Sequence, residues 1–83
     1  MKPVISLNGT SADSMVEDRR KVMEALMDAM QVMTALMPHG RDYPNAAEQF
    51  RADRDLHCAR QQALLDMHDE IRDEALAIQK QAD

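Results

Sequence analysis

The chain has 83 residues, of which 45% are hydrophobic and 30% are charged, and its formal net charge is -5. This acidic balance argues against bulk attraction to nucleic acid or to an anionic membrane, and a single cysteine, Cys58, excludes an internal disulfide framework. No zinc-type Cys/His spacing occurs, so we expect one small domain, residues 1–83, that gains stability by self-association and needs no metal or cofactor.

The N-terminal segment MKPVISLNGTS has one lysine and no sustained apolar run, which is unlike a signal peptide or a membrane span. We therefore expect a soluble, cytoplasmic protein. Residues 1–11 are predicted to form an extended strip. Its apolar residues Val4, Ile5 and Leu7 are expected to fold back over the end of the second helix near Ile78, with a free tail as the alternative.

The first helix is predicted for about residues 12–37. Ser14 followed by Glu17 has the spacing of a capping box, and Pro38 ends the segment. Only one narrow stripe between Val22 and Met37 is polar, so this helix is expected to be buried on several sides, and one partner helix cannot cover it. The pattern predicts association of copies through helix 1. The residues predicted at this interface are Met23, Leu26, Met27, Met30, Met33 and Met37.

The second helix is predicted for about residues 45–80, after a turn at residues 38–44 that contains two of the three prolines. It carries one apolar seam and a charged remainder, so it belongs on the outside of an assembly. The two segments predict an all-α fold, a two-helix antiparallel hairpin that assembles into a homo-oligomeric helical bundle, as a homodimer or a larger ring.

The turn combines residue types that suit a phosphorylated small molecule. It precedes a helix N-terminus, where free backbone N–H groups accept anions; its arginine is a permanent cation, and its tyrosine ring can stack on a base. Antiparallel pairing of two copies would bring the basic group at residues 19–21 beside this turn. A purely structural turn is the alternative. The predicted ligand-binding residues are His39, Arg41, Tyr43, Arg51, Arg54, Arg19 and Arg20.

The carboxylates of residues 69–74 follow the spacing found in Mg²⁺-dependent all-α nucleotide pyrophosphohydrolases, but a matching Glu-x-x-Glu on the facing helix is missing. Asp53 and His57, four residues apart, are expected to pair as a structural contact. Cys58 has no suitably oriented base within its helix. We therefore predict a non-enzymatic protein without catalytic residues or metal ligands, and the pyrophosphohydrolase is the least favoured alternative.

The segments SLNGTS (6–11) and HGRDYP (39–44), with a helix between them and a charged helix after them, resemble a group of short uncharacterised bacteriophage proteins that share an NGTS-like segment and a GRDYYP-like turn. This chain has one tyrosine where two often occur. The resemblance implies a phage origin more than a function. Small phage proteins of this build are commonly accessory factors that counter host defence, either by blocking a protein or by sequestering a nucleotide signal, and we expect a viral protein of the host cytoplasm that sequesters a signalling nucleotide. The alternative is a protein–protein inhibitor or adaptor that binds a host protein through the acidic face of helix 2, with Asp66, Asp69 and Asp73.

Overall fold

A computed structural model describes residues 1, 3–4 and 11–82. Two long helices make up most of this part of the chain: α1 spans Ala12–Met33 and α2 spans Ala47–Ala82. No β-strand occurs among the described residues. The prediction of an all-α, two-helix architecture is confirmed. Neither helix, over the residues described, is long and apolar enough to cross a membrane.

The α1 helix begins at a serine cap. Ser11 is extended (φ -65°, ψ 151°), and its hydroxyl accepts a hydrogen bond from the Ser14 N–H at 3.1 Å. The predicted capping box at Ser14 is therefore wrong, and Glu17 pairs with Arg20 instead. The α-helix ends at Met33, before the predicted boundary at 37.

The proline after α1 limits how far the helical segment can extend. A residue that precedes proline is disfavoured in the helical region, and Met37, before Pro38, has ψ 122°. One turn of 3₁₀ helix, Thr34–Leu36, closes the segment.

The connection between the helices is a short structured turn. A second 3₁₀ helix spans Gly40–Asp42, in which the His39 carbonyl accepts from the Asp42 N–H at 3.0 Å. Asn45 adopts φ 57°, a left-handed conformation that asparagine tolerates better than most residues. Because this residue breaks the helical path, α2 begins at Ala47 and not at the predicted residue 45.

Two interhelical contacts fix the antiparallel register. The Gln61 side-chain amide donates to the Met30 carbonyl at 3.0 Å, and the Arg19 Nε lies 3.7 Å from the Glu74 carboxylate. Half-buried α1 positions recur at intervals of four and three residues, the pattern of a helix packed along one partner. These positions are Ala12, Val16, Arg19, Met23, Leu26, Met30 and Met33, and Met15 and Ala29 beside them are half-buried as well. Of the six residues predicted at a subunit interface, four thus lie between the helices, while Met27 and Met37 are exposed.

The hairpin has a thin core. Among the described residues only His57, Ala75 and Ile78 are buried, and α1 contributes none. The molecule measures 63 × 17 × 16 Å with a radius of gyration of 18.6 Å, against about 12 Å for a compact domain of this length. Much apolar side-chain surface on both helices therefore faces solvent.

The start of the chain lies against the second half of α2. The Met1 ammonium pairs with Glu74, and the Pro3 carbonyl accepts from the Gln81 amide at 2.8 Å. The pKa of Glu74 is lowered, mainly by this hydrogen bond from the ammonium. Val4 is exposed. Ile5 and Leu7 lie outside the described residues, so their packing over Ile78 stays a prediction.

Candidate ligand site at the hairpin turn

A surface groove of about 430 Å³ opens where the connection meets α2, and we name it the turn groove. Its volume lies in the range typical of small-molecule sites. Tyr43 and Phe50 form its aromatic side, with ring centroids 5.5 Å apart and planes tilted by 56°. The residues that line it are Gly40, Tyr43, Asn45, Ala46, Ala47 and Phe50.

Tyr43 is held in place by Asp53. The tyrosine hydroxyl donates to one carboxylate oxygen at 2.8 Å, and the Gln49 amide donates to the other at 2.7 Å. Hydrogen bonding to the carboxylate raises the pKa of Tyr43. The expected pairing of Asp53 with His57 is wrong, because His57 is buried and makes no hydrogen bond with Asp53, whose two oxygens are already engaged.

Three predicted ligand residues stand exposed around the turn groove. His39, Arg41 and Arg51 are each next in sequence to a residue that lines the groove, and none makes a salt bridge with a described residue. The first backbone hydrogen bond entering α2 is the one from the Phe50 N–H to the Ala46 carbonyl, so the amides of residues 47–49 precede the intrahelical ladder. Free backbone amides and positively charged side chains together can bind an anion.

Arg54 is engaged elsewhere. Its guanidinium lies 5.8 Å from the centre of the Phe50 ring, a cation–π arrangement, and its Nε is 4.0 Å from the Asp55 carboxylate. It therefore contacts an aromatic ring of the turn groove and is less available to a ligand than Arg41 or Arg51.

Arg19 and Arg20 lie in the first half of α1, at the opposite end of the hairpin from the turn. Arg20 bridges Glu17 and Glu24 at 2.7 and 2.8 Å, which raises the pKa of Arg20 and lowers that of Glu17. Arg19 donates to the Met15 carbonyl and faces Glu74. Within one chain these two arginines do not join the other predicted ligand residues.

A second groove of about 370 Å³ lies on the hairpin side that carries Cys58. Met30, Thr34 and Met37 line it from α1 and the connection. Gln61 contributes a buried carbonyl oxygen without a hydrogen-bond partner. Across residues 1, 3–4 and 11–82, no group of three His, Cys, Asp or Glu side chains is arranged to hold a metal ion.

The acidic face of α2 is partly neutralised by its neighbours. Asp66 accepts from the Gln62 amide at 2.8 Å, and Arg72 contacts both Asp69 and Asp73 at 3.4 and 3.3 Å. Exposed ion pairs of this kind contribute little to stability. They give this face of α2 both positive and negative charges instead of a uniformly negative surface.

Of the residues that line the turn groove, only Tyr43 is among the predicted ligand-binding residues. Phe50, the only phenylalanine, lies seven residues after the only tyrosine, and that spacing is the signal that would have placed both rings together. Asn45, directly after Pro44, is of a residue type that tolerates positive φ. Comparisons with protein-family models, curated proteins and solved structures give no match to this chain.

Proposed function

We propose that this protein is a non-enzymatic binding protein that, as a homo-oligomer, holds a phosphorylated small molecule in the turn groove. The resemblance to short phage proteins makes a host signalling nucleotide the proposed ligand, sequestered in the host cytoplasm to counter host defence. The observation that carries the proposal is an aromatic groove at the N-terminus of a 36-residue helix, flanked by unbridged arginines.

Each part of a nucleotide has a counterpart in this groove. The rings of Tyr43 and Phe50 offer flat apolar surface to a base, a contact worth about 1–3 kcal/mol per base in other proteins. Arg41 and Arg51, with the first amides of α2, offer charge-assisted donors to a phosphate. Asp42 and Glu48 lie nearby and oppose anion binding, so the cations are needed to offset them.

Native mass spectrometry of gently purified protein tests the proposal directly, because it reports subunit number and any retained small molecule together. An oligomer carrying a nucleotide-sized adduct in a fixed ratio is the expected result. An oligomer without an adduct would favour the alternative of a protein partner for the acidic face of α2.

Calorimetric titration with AMP, ADP and a cyclic dinucleotide locates the site. We expect the double variant Arg41→Ala and Tyr43→Ala to weaken binding at least about tenfold, since it removes one charged contact and one stacking contact. Arg60→Ala is the matched control, because Arg60 is exposed, makes no salt bridge with a described residue and lies about 15 Å along α2 from Phe50. Equal loss in both proteins would exclude the turn groove as the site.

A further inference from the structure

One side of α1, continued by the 3₁₀ turn Thr34–Leu36, presents exposed apolar residues around a half-buried Ala29. Val32 is 73% exposed and Leu36 62% exposed, and the side also includes two alanines. The spacing of its members is three, four, three and four residues, the repeat of a helix seam that packs against another helix. We call this set the α1 outer face: Val22, Ala25, Ala29, Val32 and Leu36.

The hairpin exposes more surface than a monomer of its mass. Its accessible area is 6321 Å², whereas a folded monomer of 9.4 kDa has about 5,000 Å². The excess of about 1,300 Å² exceeds the roughly 800 Å² that each partner buries in a standard specific interface. The hairpin as a whole therefore exposes enough surplus surface for a second copy to bury in a stable dimer.

The charges beyond the two ends of the α1 outer face are complementary. Asp18 and Lys21 lie four residues before Val22 and Ala25, respectively, and so continue this side of the helix. Arg41 and Asp42 lie at the turn, beyond the other end. None of these four side chains makes a salt bridge with a described residue. In an antiparallel pair, Asp18 and Lys21 of one copy approach Arg41 and Asp42 of the other, so Arg41 would share its guanidinium between Asp18 of the second copy and a phosphate in the turn groove.

We infer that the α1 outer face is the contact between two copies of this chain, which pack antiparallel around Ala29. The two small alanines at its centre let the helix axes approach closely, and Val22 of one copy lies across from Leu36 of the second copy. The contact is isologous, so both copies use the same face and the assembly closes.

This inference specifies the self-association contained in the proposed function and rests on it for its relevance to a ligand. Arg19 and Arg20 are engaged by carboxylates of their own chain, so the cation that the second copy brings towards the turn groove is Lys21. The measurements below use no ligand. Failure of nucleotide binding would therefore leave the dimer standing, and failure of the dimer would be seen without a nucleotide.

The mass in solution of Val32→Glu tests the face. Sedimentation equilibrium of the unchanged protein is expected to give twice the chain mass of 9.4 kDa, or an even multiple of it. Val32→Glu is expected to halve that mass, because it places a charge within the apolar contact. Gln31→Glu is the control; it adds the same charge one residue away, on the polar stripe, and should leave the mass unchanged. An unchanged protein that is monomeric, or equal masses for the two variants, would overturn the inference.

Orientation is tested by disulfide trapping in a Cys58→Ser background. An antiparallel pair centred on Ala29 separates the two copies of residue 22 by about 21 Å along the axis but brings residue 22 close to residue 36 of the second copy. A mixture of Val22→Cys and Leu36→Cys proteins should form a mixed disulfide dimer, and Val22→Cys alone should not. A disulfide dimer of Val22→Cys alone would instead indicate a parallel pair.

A charge exchange provides a test without new apolar or cysteine residues. Asp18→Arg and Arg41→Asp should each raise the dimer dissociation constant, and the two changes combined in one chain should restore it towards the original value. Restoration requires that the residues face each other across the contact. If the combined variant is weaker than either single one, the proposed register is wrong.

Discussion

The Tyr43 hydroxyl donates a 2.8 Å hydrogen bond to Asp53, ten residues later in the sequence. This bond joins the turn to the second turn of α2, and the Gln49 amide completes the set of groups around the same carboxylate. The tyrosine ring is thereby oriented beside Phe50, with its face available at the edge of the turn groove.

Asp53→Asn should lower the pKa of Tyr43 towards the ordinary value of about 10. The Asp53 carboxylate accepts a hydrogen bond from the neutral phenol and disfavours the phenolate, so the pKa of Tyr43 is raised in the folded protein. The stabilisation from this bond is present below pH 10 and is lost as the pH rises through the folded-state pKa. Absorbance titration reports it cleanly, because the chain has one tyrosine and no tryptophan. An identical titration curve for the variant would mean that the bond is absent in solution.

Ser11→Ala should lower the free energy of unfolding by about 1 kcal/mol, because it removes the side-chain acceptor for the Ser14 N–H. Ser14→Ala is the matched control, since only the backbone of Ser14 takes part in the cap. Urea denaturation followed by circular dichroism measures both at one chain concentration, because self-association would make stability depend on concentration. A larger effect at Ser14 than at Ser11 would restore the capping box predicted from the sequence.

Ile78→Ala should lower the free energy of unfolding by about 2–5 kcal/mol, because Ile78 is the one large side chain that is fully buried among the described residues. Leu76→Ala, two residues away and 55% exposed, should change stability by about 0.5 kcal/mol or less. The same urea titration compares them. Equal costs would show that the two side chains are equally buried in solution, for instance by a further contact over Leu76.

Replacing Asp66, Asp69 and Asp73 together with lysine should leave nucleotide binding in the turn groove unchanged. Asp66 lies sixteen residues beyond Phe50, which is about 24 Å along α2. Calorimetric titration of the triple variant with the same nucleotides gives the result, with circular dichroism to verify helicity. If the triple variant loses binding while the Arg41 and Tyr43 changes do not, the acidic face is the functional surface.

The helices themselves were predictable because their boundaries depend on local chemistry. Pro38 and Pro44 mark the turn, and α2 differs from its predicted limits by two residues at each end, while α1 ends four residues before its predicted limit. The interior of the turn was not predictable. The Tyr43 to Asp53 bond and the φ of Asn45 depend on how the chain closes in three dimensions, which neither propensity nor periodicity encodes.

The rotation of α1 was only partly predictable. The sequence offers two adjacent apolar stripes, one containing Val22 and Leu36 and the other containing Met23 and Met30, and periodicity cannot choose between them. In the structure the strip that faces α2 takes residues from both, including Leu26 and Met30. Polar contacts across the hairpin, such as that from Gln61 to Met30, accompany this rotation.

The order in which the hairpin closes determines when its best-buried side chain is packed. The contact of Tyr43 with Asp53 closes a loop of 10 residues, whereas the contact of Gln81 with Pro3 closes one of 78. The longer loop costs about 2 kcal/mol more in loop-closure free energy. We expect the helices to pair from the turn outwards, so Ile78 is packed late, after the folding transition state. Truncating it should then accelerate unfolding while leaving the folding rate nearly unchanged, which makes Ile78 a residue that sets the lifetime of the folded hairpin.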